Sequence, residues 1–323
     1  MRAIQVTRHG GPDVLAFGNV DDPIPAADEV IVATTAVGVN FIDTYLRRGL
    51  YPSTPPYIPG TEGTGVVVSR GPDVTTLQEG QRVAWCAAPG SYAEKVAVPA
   101  AKAVPVPDGV DDEVAGSSLL RGLTAHYLLD GSAHPKAGDT VLVHAGGGGV
   151  GLILTQLAKM RGVTVITTVS SDEKEALSRE AGADHVLRYG DDLAARVRDL
   201  TGGHGVPVVY DGVGADTFEQ SLAATAVRGI VVLFGAASGP VPPFDLQRLN
   251  PAGSLSVTRP TLAHFTATPE ELRWRAGEYF EAILDGSVDV RVGQRYRLAD
   301  AAAAHTDLEA RVTTGTTVLL PTD

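Results

Sequence analysis

The chain has 323 residues, 38 acidic and 26 basic, for a net charge of −12. That length favours two domains and supports a sizeable core, while the acidic balance disfavours nucleic acid or an anionic membrane as the main partner. A single cysteine, Cys86, cannot form an intrachain disulfide, which argues against the disulfide-stapled secreted class.

The opening MRAIQVTRHG reads as a strand rather than a leader. No apolar run approaches the ~18 residues of a membrane span. A soluble, cytoplasmic protein is expected. Up to about residue 110, Gly and Pro punctuate short β-rich runs: MRAIQV, EVIVATTAVGV, GTGVVVS, QRVAWCAA and YAEKVAV. Such a pattern suggests a compact, barrel-like β unit, with Cys86 as a small buried hydrophobe. DDEVAGSSLLRGLTAHYLLDGSA then reads as one or two helices.

From residue 141 strands alternate with helices. Strands are predicted at VLVHA, VTVITTV, HVLRY, VPVVYDGV, GIVVLFGA and LSVTRP. Val150, Ile153, Leu154, Leu157 and Ala158 share one helical face between the first two. Six strands separated by helices predict an α/β, doubly wound parallel sheet. In TPEELRWRAGEYFEAILDG, Thr268 is the expected N-cap, Pro269 opens the helix and Glu271 closes a capping box. Leu272, Ala276, Tyr279, Phe280, Ile283 and Leu284 form its expected buried stripe, and Gly286 ends it. RYRL, an alanine-rich helix and TTVLLP follow. The nucleotide-type domain is therefore expected as residues 121–258, inserted between 1–120 and 259–323 of a β-rich domain.

Gly146, Gly148 and Gly151 satisfy G-x-G-x-x-G with a strand before and a helix after. Glycine there lets backbone approach a pyrophosphate, and the helix N-terminus offers free N–H groups. An NAD site usually carries Asp or Glu at the end of the second strand. This strand instead ends TTVSSDEK, with Ser170 at the position and Lys174 four residues on, which points to a 2′-phosphate and NADPH. Ser170 also reads as a helix cap with Glu173, Lys174 as a solvated helix lysine, and Asp172 and Glu173 would repel a phosphate they faced.

NFIDTYLRRGLYP (40–52), PGTEGTG (59–65), HAGGGGVG, VVYDGVG and SVTRPTL together resemble the zinc-free NADPH:quinone oxidoreductases of the zeta-crystallin type, in the medium-chain dehydrogenase/reductase superfamily. The resemblance implies a GroES-like, partly opened β-barrel domain with a six-stranded Rossmann domain, an active site in the cleft between, and a homodimer joined through Rossmann-sheet edges. It implies that Asn40, Tyr45 and Tyr51 line the nicotinamide and substrate cleft, with Arg259 entering it. Thr124 would touch the cofactor, and Gly148, Gly149 and Val150 its pyrophosphate. Ser170, Lys174, Tyr189 and Arg311 would surround the 2′-phosphate. Phe234, Gly235 and Ser238 would follow the nicotinamide half. Without the family, Tyr45 and Tyr51 read equally well as packing tyrosines, Asn40 as a turn residue, Asp43 as a helix cap and Arg311 as a surface arginine.

Zinc members of the superfamily need Cys and His near residues 40–65, often as Gly-His-Glu. Here the stretch is Gly60-Thr61-Glu62, and the eight histidines show no H-x-H or H-x-x-x-H pairing. No catalytic or structural zinc is expected. No G-x-S-x-G elbow and no Gly-Lys dipeptide occur, which disfavours the α/β-hydrolases and P-loop enzymes. The expected activity is transfer of hydride, or of single electrons, from NADPH to a quinone. The alternatives are an enone or enoyl-thioester reductase on the same scaffold, and a non-catalytic NADPH-binding protein.

Overall fold

The computed structural model describes residues 1–321. Two compact units result, one from Met1–Arg121, Thr266–Asp285 and Val290 onward, the other from Gly122–Phe265 and Gly286–Asp289.

The first unit holds β1 (Arg2–Val6), β2 (Leu15–Asn19), β3 (Glu29–Gly38), α1 (Phe41–Arg48), β4 (Gly63–Arg70), β5 (Arg82–Trp85), β6 (Lys95–Pro99) and β7 (Ala103–Pro105). The unit boundary falls inside the helix α2 (Asp112–Tyr127), which passes into a π-helical turn at Leu128–Ser132. The five predicted β runs of this region are strands. Missed were β2, whose LAFGN holds Gly and Asn and no β-branched residue, the three-residue β7, and α1, whose eight residues lie within a motif read for chemistry. The sheet runs β7-β5-β4-β3, with β6 also pairing β3 antiparallel. Val30, Val32, Val67, Val83, Trp85, Val96 and Val98 bury one core on it. Cys86 is buried, and burial pushes its thiol up to about 12.

The second unit holds β8 (Thr140–Val143), α3 (Gly149–Met160), β9 (Thr164–Val169), α4 (Asp172–Glu180), β10 (His185–Arg188), α5 (Leu193–Leu200), β11 (Val206–Asp211), α6 (Phe218–Ala224), β12 (Thr225–Leu233) and β13 (Ser256–Thr258). All six predicted strands form one sheet in the order β10-β9-β8-β11-β12-β13, every pair parallel. This is the doubly wound Rossmann order, reversing at β8 and β11. Ile153, Leu154, Leu157 and Ala158 of the predicted helical face are buried.

The chain then returns to the first unit with α7 (Pro269–Leu284), β14 (Val292–Arg297), α8 (Ala301–Glu309) and β15 (Thr316–Leu320). β15 pairs β3 antiparallel and β14 pairs β15 parallel, completing the GroES-like sheet. Thr268 caps α7, its side chain accepting the Glu271 N–H at 3.2 Å. The predicted stripe of α7 is buried at Leu272, Ala276, Tyr279 and Phe280, but Leu284 is exposed. Ile283 is half-buried and Ala282 buried, so the packed face runs into the last turn and leaves out only the final residue.

Candidate active site and cofactor cradle

In the second unit, Gly148 is the N-cap of α3 in extended backbone. Gly149 and Val150 form its first turn, whose amides lack intrahelical acceptors. A Cβ at Gly151 would lie 2.3 Å from the Ala145 carbonyl oxygen, and one at Gly146 would lie 2.4 Å from Thr167. The strand-to-helix turn is therefore closed as tightly as glycine allows, and a pyrophosphate fits against it.

Two residues predicted for the 2′-phosphate, Lys174 and Tyr189, lie against that turn. Ser170 follows β9 and is exposed. A Cβ on Gly147 would meet the Lys174 stem at 2.7 Å, so Lys174 lies against the turn. Tyr189 stacks near-parallel on His144, ring centroids 6.1 Å apart, and its hydroxyl accepts the Ala145 N–H at 2.9 Å. The cap of α4 is a correction. Ser171, not Ser170, accepts the Lys174 N–H at 3.3 Å, leaving Ser170 outside the helix. Arg188, which sequence reasoning passed over, binds both Asp172 and Glu175. It thereby offsets negative charge on α4 beside the expected phosphate.

Behind the turn, His144 is buried, its Nδ1 2.9 Å from Thr168 Oγ1 and its Nε2 3.0 Å from Ser221 Oγ. Burial pushes its pKa down, with partial opposition from Asp211. Ser221 donates to Asp211 at 2.7 Å, and Asp211 also accepts the N–H groups of Val213 and Gly214. The motif VVYDGVG is thus a carboxylate ordering the loop after β11. The loop after β12 packs on it: Phe234 lies against Gly212, and a Cβ on Gly235 would lie 2.3 Å from the Gly212 oxygen. Ser238 Oγ donates to the Val213 oxygen at 2.8 Å. Thr124 is buried in α2. Arg259, just after β13, is exposed and near enough to Tyr127 to act on its hydroxyl electrostatically.

In the first unit, Asn40 caps α1 and is 4% exposed. Its Nδ2 donates to Glu62 Oε1 at 2.7 Å. Glu62 Oε2 accepts the Leu120 N–H at 2.8 Å, and Arg121 lies 3.7 Å away. Burial pushes the Glu62 pKa up, with Arg121 opposing. Gly38 makes room for that carboxylate, since a Cβ there would overlap Glu62 at 2.1 Å. Gly49 ends α1 in the left-handed region, φ 75°. This returns the chain so that Tyr51 meets Tyr45 edge-on, centroids 5.4 Å apart. Tyr45 is half-buried and Tyr51 37% exposed. Arg311 is exposed just beyond α8. Sequence reasoning missed Glu62 as Asn40's partner; PGTEGTG was the signal, read for the family resemblance and for the zinc it lacks.

Residues 26–108 match the family model described as alcohol dehydrogenase GroES-like domain, and 149–276 the one described as zinc-binding dehydrogenase. A quinone oxidoreductase of Pseudomonas aeruginosa is 47% identical, with 99% of each chain covered. The chain belongs to the quinone oxidoreductase family of the medium-chain dehydrogenase/reductase superfamily. Within this family, a mycobacterial protein solved in complex with NADPH superposes with a TM-score of 0.98 at 57% identity, covering 99% of this chain and 100% of that one. A 2-haloacrylate reductase of Burkholderia is 40% identical, with 99% and 98% covered.

Proposed function

We propose that this chain is an NADPH-dependent quinone oxidoreductase that works without zinc. The observation that carries the reading is the glycine turn at 146–151, flanked by Lys174 and Tyr189 with no acid at the end of β9. That donor set suits a dinucleotide bearing a 2′-phosphate. The full-length likeness to a quinone oxidoreductase supports the acceptor.

Bound NADPH supplies the hydride. Gly148, Gly149 and Val150 hold its pyrophosphate. Ser170, Lys174, Tyr189 and Arg311 receive the 2′-phosphate. Thr124, Phe234, Gly235 and Ser238 border its nicotinamide half. Asn40, Tyr45, Tyr51 and Arg259 orient the quinone and hydrogen-bond its oxygen as negative charge gathers there. Reduction of an ordinary carbonyl leaves a strongly basic alkoxide, which calls for a metal or a proton donor. A reduced quinone oxygen is a delocalised phenolate that water can protonate later, so no residue is needed as an obligatory acid. The Asn40–Glu62 bond supports the zinc-free assignment, because each satisfies the other where zinc relatives place metal ligands.

Residues 1–120 with 259–323 form the catalytic part and 121–258 the cofactor part in this reading. The protein is a cytoplasmic homodimer. β13 ends the parallel sheet, and an edge strand with unpaired backbone groups suits pairing with a second copy. The net charge of −12 disfavours a nucleic acid partner. No helix among the described residues is long and apolar enough to cross a membrane.

The likeness to a 2-haloacrylate reductase favours a second reading, reduction of an activated alkene. NADPH oxidation with 1,4-benzoquinone and with a simple enone, alongside NADH and EDTA, separates the two. Quinone turnover with NADPH, weaker with NADH and indifferent to EDTA, is expected. Turnover with the enone alone would move the function to alkene reduction. Tight NADPH binding with no turnover would leave a non-catalytic protein.

A further inference from the structure

Within the first unit a buried run of polar groups leads from α8 to the first turn of α1. Arg47 is fully buried. It donates to the Gly10 oxygen at 3.1 Å and to both oxygens of Glu309 at 2.8 Å. A further guanidinium nitrogen lies 2.9 Å from His305 Nδ1. Guanidinium has donors only, so Nδ1 is the acceptor and the proton of a neutral His305 sits on Nε2. That ring is neutral: burial and Arg47 push its pKa down to about 3. Nε2 lies 2.9 Å from the Tyr92 hydroxyl and must donate to it. The Tyr92 O–H is thereby turned onto Asp43 Oδ2, 3.1 Å away. The same Oδ2 accepts the backbone N–H of Asn40 at 2.9 Å.

Every bond in the run points one way, because the arginine at its head cannot accept. Gly60 makes the run sterically possible. Its φ is 90°, and a Cβ there would lie 2.2 Å from the Tyr92 ring. Asp43, Arg47, Tyr92 and His305 are all fully buried, so bulk water cannot replace a lost member.

We propose that Tyr92 and His305 are positioning residues for the substrate-binding turn of α1, carrying the orientation set by the Arg47–Glu309 pair through Asp43 to Asn40. This rests on the reading above that Asn40 meets the quinone. Neither residue touches substrate. Removing the Tyr92 hydroxyl strands the His305 N–H without an acceptor and takes one of two donors from Asp43 Oδ2, loosening its hold on the Asn40 amide.

The test compares the full-length wild type with Tyr92→Phe, His305→Leu and His305→Gln. A Gln side chain can accept from Arg47 and donate to Tyr92, so it serves as the rescue. The first readout is amide hydrogen exchange without substrate. In Tyr92→Phe, exchange over residues 40–44 should accelerate about tenfold or more while β8 and β9 keep wild-type rates. The second is turnover: kcat for 1,4-benzoquinone should fall about tenfold with the NADPH dissociation constant within about twofold, and His305→Gln should recover most of what His305→Leu loses. Wild-type exchange in the first turn of α1, or equal damage from Gln and Leu at 305, overturns the proposal. Should the wild type not reduce quinone at all, the substrate reading fails and the exchange result alone decides. Should Tyr92→Phe not fold, Glu309→Gln at the outer end carries the same exchange test, with the same accelerated exchange expected.

Discussion

The side-chain amide of Asn40 donates to Glu62 Oε1 at 2.7 Å, and that bond sets which way the amide faces. An ionised carboxylate only accepts, so the NH₂ end is held to Glu62 and the oxygen end turns away from it. The opposing carboxylate oxygen is occupied by the Leu120 N–H.

Glu62→Gln should therefore be costly although nearly isosteric. Gln has one acceptor oxygen where two N–H groups need one each, so either Asn40 flips or Leu120 loses its partner. Arg121 also loses its neighbouring charge. The expected result is a fall of about 10- to 100-fold in kcat/KM for quinone and a lower melting temperature. Wild-type kinetics in steady-state assays would show that the amide orientation is irrelevant to turnover.

Tyr45→Phe tests whether an obligatory acid exists. The substitution keeps the edge-on contact with Tyr51 and removes the hydroxyl proposed to hydrogen-bond the substrate oxygen, which predicts a fall of about 3- to 10-fold in kcat. Complete loss of turnover with NADPH binding intact would mean that the hydroxyl delivers an essential proton.

Two glycine substitutions should act in opposite directions. At Gly151 a methyl group meets backbone, the Ala145 oxygen at 2.3 Å and the Gly146 Cα at 2.9 Å. Gly151→Ala should destabilise the protein by about 1–3 kcal/mol and weaken NADPH binding measured by nicotinamide fluorescence. Gly277 lies within α7 and a Cβ there meets nothing within 4 Å. Gly277→Ala should stabilise by about 0.5–1 kcal/mol in urea unfolding, with NADPH binding unchanged.

Stability should respond to pH through two buried groups of opposite sign. His305 is held down to about 3 from 6.5, chiefly by burial and then by Arg47. Between those values the unfolded chain holds a proton that the folded one lacks, so this group makes stability rise with pH. Asp43 is pushed up to about 7 from 3.8 by burial, against the pull of the Asn40 and Tyr92 hydrogen bonds. Between those values the folded chain holds the extra proton, so this group makes stability fall as pH rises. Each slope approaches ~1.4 kcal/mol per pH unit for a full proton, and from about pH 4 to 6.5 the two oppose. His305→Gln removes the rising part. Relative to wild type, its urea midpoint should decline as pH is raised from about 4.5 to 6.5. A constant offset between the two proteins would mean that His305 does not titrate in this window.

The sequence by itself determined the strands and helices that repeat a local pattern. Short valine-rich runs between breaks marked β3, β4 and β9, and a glycine run between strand and helix marked the cofactor turn. Thr268, Pro269 and Glu271 marked the start of α7. Those signals act over a few residues, so they survive in one dimension. Tyr45 and Tyr51 were legible as candidates but not as a pair, since their contact depends on the left-handed turn at Gly49. Only the tertiary structure decided what Asn40, Asp43 and Glu62 do. Glu62 comes from 22 residues along the chain to hold the Asn40 amide, and Glu309 from 262 residues beyond Arg47 to anchor the run that ends on Asp43. A buried polar group must find a partner wherever the fold provides one. Which partner that is depends on packing between distant segments, and no local spacing encodes it.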